Sequence, residues 1–265
     1  MILAVGGSDH DVNACLAVDG QIAVAIEEER LNRRKYGLGG NLLDGIGWRY
    51  CLEAAGGGLH LTDMQHVLAD SILAPPALYA CRRDAERLDH PLLHASSAFF
   101  TAPFDRAAVL VVDNAGDVYA DADGVERLQA TSWYFAEGVD IRLLGRVGSS
   151  NWVEGPTVLG RAYQRGDGDH SLGHFYKKVT GALGYRYPPD RAASGYFFPE
   201  DGVTMGLAAY GDDRFVAALW ELVRLEPDGG YRLVLNDGCL DTMLQRWLGD
   251  GSRSEEHRLN SSHRR

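Results

Sequence analysis

MILAVGGSDHDVNACLAVDGQIAVAIEEER, residues 1–30, is the stretch from which the fold is read. It holds three short apolar runs, Ile2 to Val5, Asn13 to Val18 and Gln21 to Ile26. Asp19-Gly20 separates the last two, and both residue types tolerate the positive φ that a tight two-residue hairpin demands. The expectation is a β-meander that begins at residue 1. Helical spacing follows from about Asn41 to Ala54, with Leu42, Leu43, Ile46, Tyr50 and Leu52 mostly on one side and Gly56-Gly57-Gly58 ending it. His66 to Ala69 reads as a fourth strand.

The pattern then starts again. Pro91 to Phe100 reads as a helix with Asp89 as N-cap, Pro91 being tolerated in the first turn, and Pro103 marks its end. Ala107 to Val112 is uniformly apolar and ends in Asp113, which predicts a central strand buried on both faces. Further strands are expected at about Gln129 to Phe135 and Ile141 to Val147, so a second three-strand meander follows a strand and a helix, the mark of an internal structural duplication. Ser171 is placed to cap a helix running to about Leu183, and Asp213 another from Phe215 to Leu225. Asp228-Gly229-Gly230 before Tyr231 suggests a last hairpin. Ser149 to Asp169 is rich in Gly, Tyr and charge and has no periodicity, which leaves a functional loop and a partly disordered one equally open.

With 265 residues and 45% hydrophobic content the chain can bury a sizeable core, as one large domain or two small ones. A formal charge of −11 disfavours nucleic acid, whose phosphates call for clustered Lys and Arg, and favours a small-molecule partner. Cys15, Cys51, Cys81 and Cys239 form no CxxC pair, which fits a reduced, cytoplasmic setting. The first apolar run is too short for a signal peptide or a membrane span, so no membrane partner is expected. Arg253 to Arg265 carries one apolar residue, Leu259, and is expected to hang free. Its strings RSEEH and RLNSSH resemble translated sequencing-adapter reads, which would put the end of natural sequence near Ser252.

The chemistry concentrates in His90-Pro-Leu-Leu-His94, followed nineteen residues after His94 by Asp113 at a strand end. Histidines at i and i+4 lie about 6 Å apart along a helix axis, so both imidazoles can reach one metal ion, and a strand-end carboxylate can supply a third ligand. Two His and one carboxylate suit Fe(II) or Zn(II). Taken alone, the pair reads equally as two helix-surface histidines with no joint role. His10-Asp11 is a second candidate: a neutral imidazole could take a proton from an attacking hydroxyl with Asp11 orienting it, or Asp11 could simply hold a turn. The charge run Glu27-Glu-Glu-Arg30 followed by Arg33-Arg-Lys35 reads as a solvated segment for Glu28 and Arg33, while either Arg34 or Lys35 could clamp an anion.

The segments His94-Ala-Ser-Ser-Ala-Phe-Phe-Thr-Ala-Pro-Phe-Asp105 and Val109-Leu-Val-Val-Asp-Asn-Ala-Gly-Asp117 resemble the metal-binding signature of the NodU/CmcH-type O-carbamoyltransferases. Three further blocks resemble the same family. They are Gly6 to Cys15 with Val18 to Gly20 and Ala25 to Lys35, then Ser171-Leu-Gly173 with Tyr176 and Gly184-Tyr185, then Met205-Gly-Leu-Ala-Ala-Tyr-Gly211. The blocks occur in the family's order over residues 1 to about 215. The resemblance implies an α/β fold of the actin, sugar-kinase and heat-shock ATPase superfamily (ASKHA), whose duplicated RNase-H-like lobes bind a nucleotide between them. Residues 1–252 would then be an incomplete N-terminal carbamoyltransferase domain with sub-lobes of about 1–105 and 106–252. A YrdC-like C-terminal domain would be its missing partner.

By resemblance, His90, His94 and Asp113 would hold the metal, Fe(II) by preference with Zn(II) as the alternative, and His10 with Asp11 would serve carbamoyl transfer. Arg34 or Lys35 would meet phosphate, as would the loops Gly6 to Asp9 and Asn114 to Asp117, with Gly116 and Asp117 in the second. Gly206 and Gly211 would allow close backbone approach at the nucleotide cleft. Pro91 departs from the family's second consecutive histidine, Val203 from a lysine before the Met-Gly-Leu-Ala block, and Asp117 from a glutamate. The implied reaction takes a carbamoyl group from carbamoyl phosphate, with ATP and Mg(II), through a carbamoyl-adenylate to a hydroxyl of a small-molecule natural product or nodulation factor. These residues alone are expected not to complete it. Two rivals are a tRNA threonylcarbamoyl transferase-like metalloenzyme, which the acidic charge disfavours, and a non-catalytic nucleotide-binding module, which would not need the two histidines and Asp113 together.

Overall fold

The computed structural model describes residues 1–8, 11–37, 43–82, 84–149, 154–155, 162–163, 171–185, 201–227, 229–233, 242–243 and 246–247. Strand β1 (Ile2–Gly6) pairs antiparallel with β2 (Asn13–Val18), which turns through Asp19-Gly20 into β3 (Gln21–Glu27). Asp19 and Gly20 have φ of 50° and 78°, the left-handed pair of a tight hairpin. A short helix α1 (Glu28–Asn32) and the longer α2 (Ile46–Ala54) lead to β4 (His66–Asp70), parallel to β1. Helix α3 (Pro75–Cys81) then crosses over to β5 (Glu86–Leu88), parallel to β4, so the sheet runs β3-β2-β1-β4-β5. Alternate residues Leu3 and Val5, Ala14 and Leu16, Val67 and Ala69 are buried in one cluster with Trp48, Cys51 and Leu52 of α2 and Ala77 and Cys81 of α3. The period-2 pattern of the strands therefore meets the 3.6-residue pattern of the helices in a single core.

Helix α4 (His90–Phe100) leads into the second sheet, built of β6 (Arg106–Val112), β7 (Val118–Ala120), β8 (Glu126–Glu137) and β9 (Asp140–Ser149). Strand β8 is antiparallel to β6 and β7 on one side and to β9 on the other. Thus β6, β8 and β9 repeat the meander of β1, β2 and β3. Ala95 and Phe99 of α4 pack on Val109 and Val111 of β6 and on Tyr134 and Ala136 of β8. The expectation that β6 is buried on both faces is corrected, since Leu110 is 67% and Val112 49% exposed. An antiparallel strand with one helical layer beneath it buries alternate residues only, and no strand pairs with its other edge among the described residues.

Beyond β9 are the two-residue pair β10 (Glu154–Gly155) and β11 (Ala162–Tyr163), then α5 (Leu172–Ala182), α6 (Asp201–Ala208), α7 (Val216–Trp220), β12 (Val223–Leu225) and β13 (Tyr231–Leu233). Most of the 149–169 stretch and all of 253–265 lie outside the described residues. A small cluster around Leu222 joins α5 to Leu219, Met243 and Trp247, and Tyr231 Oη lies 2.7 Å from Thr131 Oγ1, tying the hairpin to β8. Ser171 caps α5 as expected, its Oγ accepting the His174 N–H at 3.0 Å. The helix expected from Phe215 to Leu225 is shorter, without a side-chain cap, because Val223–Leu225 pairs with Tyr231–Leu233. Asp213 contributes only its carbonyl, to Val216 N–H. Glu28 is a second correction: its side chain turns into the core, where Oε1 accepts the Gly47 N–H at 3.0 Å and the residue is 8% exposed. No described helix is long and apolar enough to cross a membrane.

Candidate metal centre

Helix α4 begins at His90 because every amide of its first turn has an acceptor. The Asp89 side chain accepts Leu92 N–H at 3.0 Å, and the Asp89 carbonyl accepts Leu93 N–H at 3.0 Å. Pro91 has no N–H to satisfy. The remaining donor, His90 N–H, reaches Asp117 Oδ2 at 2.7 Å and Ser71 Oγ at 3.2 Å, and Ser71 Oγ–H donates to the same Asp117 oxygen at 2.6 Å. A residue just past β4 and one just before β7 thus hold the helix start against both sheets. Gly116 takes part as well, since a Cβ there would stand 3.1 Å from Pro91 Cγ.

That anchoring aims the His90 ring between two carboxylates. Its Nδ1 lies 2.8 Å from Asp70 Oδ2 at the end of β4, and its Nε2 lies 2.9 Å from Asp113 Oδ2 just past β6. One helical turn on, His94 Nε2 comes within 3.1 Å of His90 Nε2 and 3.7 Å of Asp113 Oδ2, the two rings meeting edge to face at 84°. One donor atom from each of His90, His94 and Asp113 therefore lies within 4.8 Å of the other two. Asp113 is oriented by Asn114 N–H, which donates to its Oδ1 at 2.6 Å. The N-terminus of α5 braces that loop: Ser171 Oγ–H donates to the Asn114 carbonyl at 2.8 Å, and a Cβ on Gly173 would stand 2.6 Å from Asn114 Cα.

The electrostatics follow from this packing. Burial pulls the His90 imidazolium down, but hydrogen bonds to Asp113 and Asp70 and their charges outweigh it and push the group up to about 10. His94 is held below its ordinary value by burial and by the neighbouring His90. Burial works to raise Asp113, yet the His90 hydrogen bond and charge bring it below the usual carboxylate range. Two ring nitrogens 3.1 Å apart beside one carboxylate oxygen call for a shared proton or a metal ion among them. Imidazole nitrogen and carboxylate oxygen are the donors that first-row divalent cations such as Fe(II) and Zn(II) accept, so the residues present fit such an ion. Exposure rises from Asp70 (4%) through His90 (12%) and Asp113 (29%) to His94 (53%), which leaves His94 at the mouth of the site.

The other residues singled out in the sequence are more scattered. His10 lies outside the described residues. Asp11 is exposed with φ of 54°, donating its N–H to the Tyr36 carbonyl at 2.9 Å. Gly7 needs to be glycine, because its φ is 103° and a Cβ would sit 2.7 Å from the Asp11 carbonyl oxygen. Ser8 O accepts Ala74 N–H at 3.2 Å, so Ser8, just past β1, lies at the same sheet end as Asp70. Arg34 is exposed next to the turn Lys35–Gly37, and the Lys35 side chain lies outside the description. Gly206 faces open space among the described residues, and a Cβ on Gly211 would meet only the Ala208 carbonyl, at 3.4 Å. Sequence reasoning missed Asp70 and Ser71. The signal was there: Val67-Leu-Ala-Asp70 and Leu110-Val-Val-Asp113 are both apolar strands that end in aspartate.

The chain is thus a mixed α/β protein with two similar meanders and a His-His-carboxylate group that could hold a metal ion. Residues 78–242 match the family model described as Carbamoyltransferase N-terminus, and the chain belongs to this family, the NodU type. It is 28% identical over 260 residues to Nodulation protein NolNO of Sinorhizobium fredii (strain NBRC 101917 / NGR234), a match covering 86% of this chain and 32% of that protein. It is 27% identical over 278 residues to Uncharacterized protein sll1178 of Synechocystis sp. (strain ATCC 27184 / PCC 6803 / Kazusa), covering 88% and 38%. The chain spans about a third of the length of these curated relatives.

Proposed function

We propose that this chain is the metal-binding lobe of an O-carbamoyltransferase. In this reading a carbamoyl group passes from carbamoyl phosphate, through a carbamoyl-adenylate formed with ATP and Mg(II), to a hydroxyl of a natural product or nodulation factor. The observation that carries the proposal is the convergence of His90, His94 and Asp113 within 4.8 Å, in a chain whose family is the carbamoyltransferase N-terminus. The strand order β3-β2-β1-β4-β5, with its meander repeated by β6, β8 and β9, supports an ASKHA fold with RNase-H-like lobes.

Held by the two imidazoles and Asp113, a divalent cation, Fe(II) by preference and Zn(II) as the alternative, would polarise the carbamoyl carbonyl or offset charge on the adenylate. His10 takes the proton of the acceptor hydroxyl as its oxygen bonds to the carbamoyl carbon, and the bond to AMP breaks with AMP leaving. Asp11 orients His10. Arg34 and Lys35 clamp phosphate oxygens, and the backbone of the β1–β2 loop approaches them closely. Gly116 and Asp117 belong to the second phosphate-facing loop, and Asp117 also holds the start of α4 through His90 N–H. Activation of carbamoyl phosphate is assigned to sequence beyond the third that the chain shares with NolNO, in a YrdC-like domain.

Metal analysis of the purified chain loaded with Fe(II) under anaerobic conditions tests the site. About one ion per chain is expected, with most of it lost in each of His90→Ala, His94→Ala and Asp113→Ala. Unchanged metal content in all three would sink the assignment. Radiolabelled carbamoyl phosphate with ATP and hydroxylated acceptors tests the division of labour, which transfer by these 265 residues alone would overturn.

A further inference from the structure

We propose that Asp70 is the positioning residue of this centre: by accepting the Nδ1–H of His90 it fixes the ring's tautomer and presents Nε2 to the cation. The inference rests on the metal reading above and adds to it a residue outside the ligand set.

The geometry separates the two carboxylates that flank His90. Asp113 and His94 both lie on the Nε2 side, at 2.9 and 3.1 Å, whereas Asp70 meets the opposite ring nitrogen at 2.8 Å. Asp70 is nearly inaccessible and both its oxygens are in use, Oδ1 accepting Ile72 N–H at 3.1 Å and Oδ2 facing the ring. A neutral imidazole carries one proton. With an acceptor-only carboxylate at Nδ1, that proton stays on Nδ1 and the Nε2 lone pair is free to coordinate. His94 is half-exposed, so the orientation of the pair depends on the ring that is held from behind. Asparagine at position 70 could not do the same work: Ile72 N–H and His90 Nδ1 meet different oxygens of Asp70, and an amide has a carbonyl oxygen at only one of those two places. An amide NH2 turned to the ring would move the proton to Nε2 and block coordination.

Zn(II), which is diamagnetic, is the probe. Competition with a chromophoric chelator should show Zn(II) binding weakened about 10- to 100-fold by Asp70→Asn and by Asp70→Ala, the range typical for partners that orient a ligand. In the unchanged chain with Zn(II), 15N NMR of the His90 ring should show a protonated Nδ1 and a metal-bound Nε2, a signature that needs no variant to fold. Coordination through Nδ1, or undiminished Zn(II) affinity in folded Asp70 variants while His94→Ala loses the ion, overturns the role of Asp70 and leaves the metal site standing. Absence of Zn(II) binding by the unchanged chain overturns the metal reading, and this inference with it.

Discussion

Glu28 shows how one residue outside the proposed ligand set gives a pH response of its own. Burial raises its carboxyl above the ordinary glutamate value and the Asp44 charge adds to this, while the Gly47 N–H opposes it. The folded state therefore binds the proton more tightly than the unfolded chain. Stability is favoured while Glu28 is protonated, falls as pH rises from the unfolded value of about 4.3 through the raised folded one, and carries the full penalty above it. Glu28→Gln keeps an acceptor for Gly47 N–H and removes the ionisation. Urea titrations should find it at least as stable as the unchanged chain at pH 7, with a flatter pH profile; a variant clearly less stable at pH 7 would refute the buried-charge account. The reading of Glu28 as a solvated charge failed because the local sequence EEER says nothing of α2, whose Gly47 closes over it.

Elements position the site by their ends. Helix α4 was legible almost to the residue, because Asp89, Pro91 and the i, i+4 histidines are local signals, and with it two of the three proposed ligands. Asp89→Ala should cost about 1 kcal/mol, the usual worth of such a cap, measurable as a shift in the denaturation midpoint. The same change should weaken Zn(II) binding, since both histidines ride on this helix. The brace on Asp113 makes a second case. Gly173→Ala puts a methyl 2.6 Å from Asn114 backbone atoms that cannot swing away, so the α5 N-terminus or the Asp113–Asn114 loop must move. A loss of about 1–3 kcal/mol is expected, together with lower metal affinity. Wild-type stability in that variant would mean that the brace is slack.

Across the whole molecule, the first sheet and its two helices form the larger core, and the α5–α7 region is held by a smaller cluster. Leu3→Ala should cost about 2–5 kcal/mol by emptying a fully buried position. Leu110→Ser, on the exposed face of β6, should stay within about 0.5 kcal/mol of the unchanged chain in the same titration. Hydrogen exchange should follow the same division, slowest in the centres of β1, β2 and β4 and fast in the β12–β13 hairpin; the reverse order would contradict it.

Alternation, turn residues and caps act between neighbours in the chain, so the amino-acid order by itself determined the two meanders, the Asp19-Gly20 hairpin, the starts of α4 and α5 and the pairing of His90 with His94. Asp113 was already legible as a strand-end carboxylate; only the tertiary structure decided that Asp70 also meets His90, and from which side each aspartate approaches the ring. Asp70 reaches His90 because β4 lies parallel to β1 and the chain crosses over through α3 and β5 before α4 begins. The partners of Glu28, the brace at Asn114 and the bare face of β6 were settled in the same way. Contacts between distant segments depend on how whole layers stack, and no local run of residues carries that information.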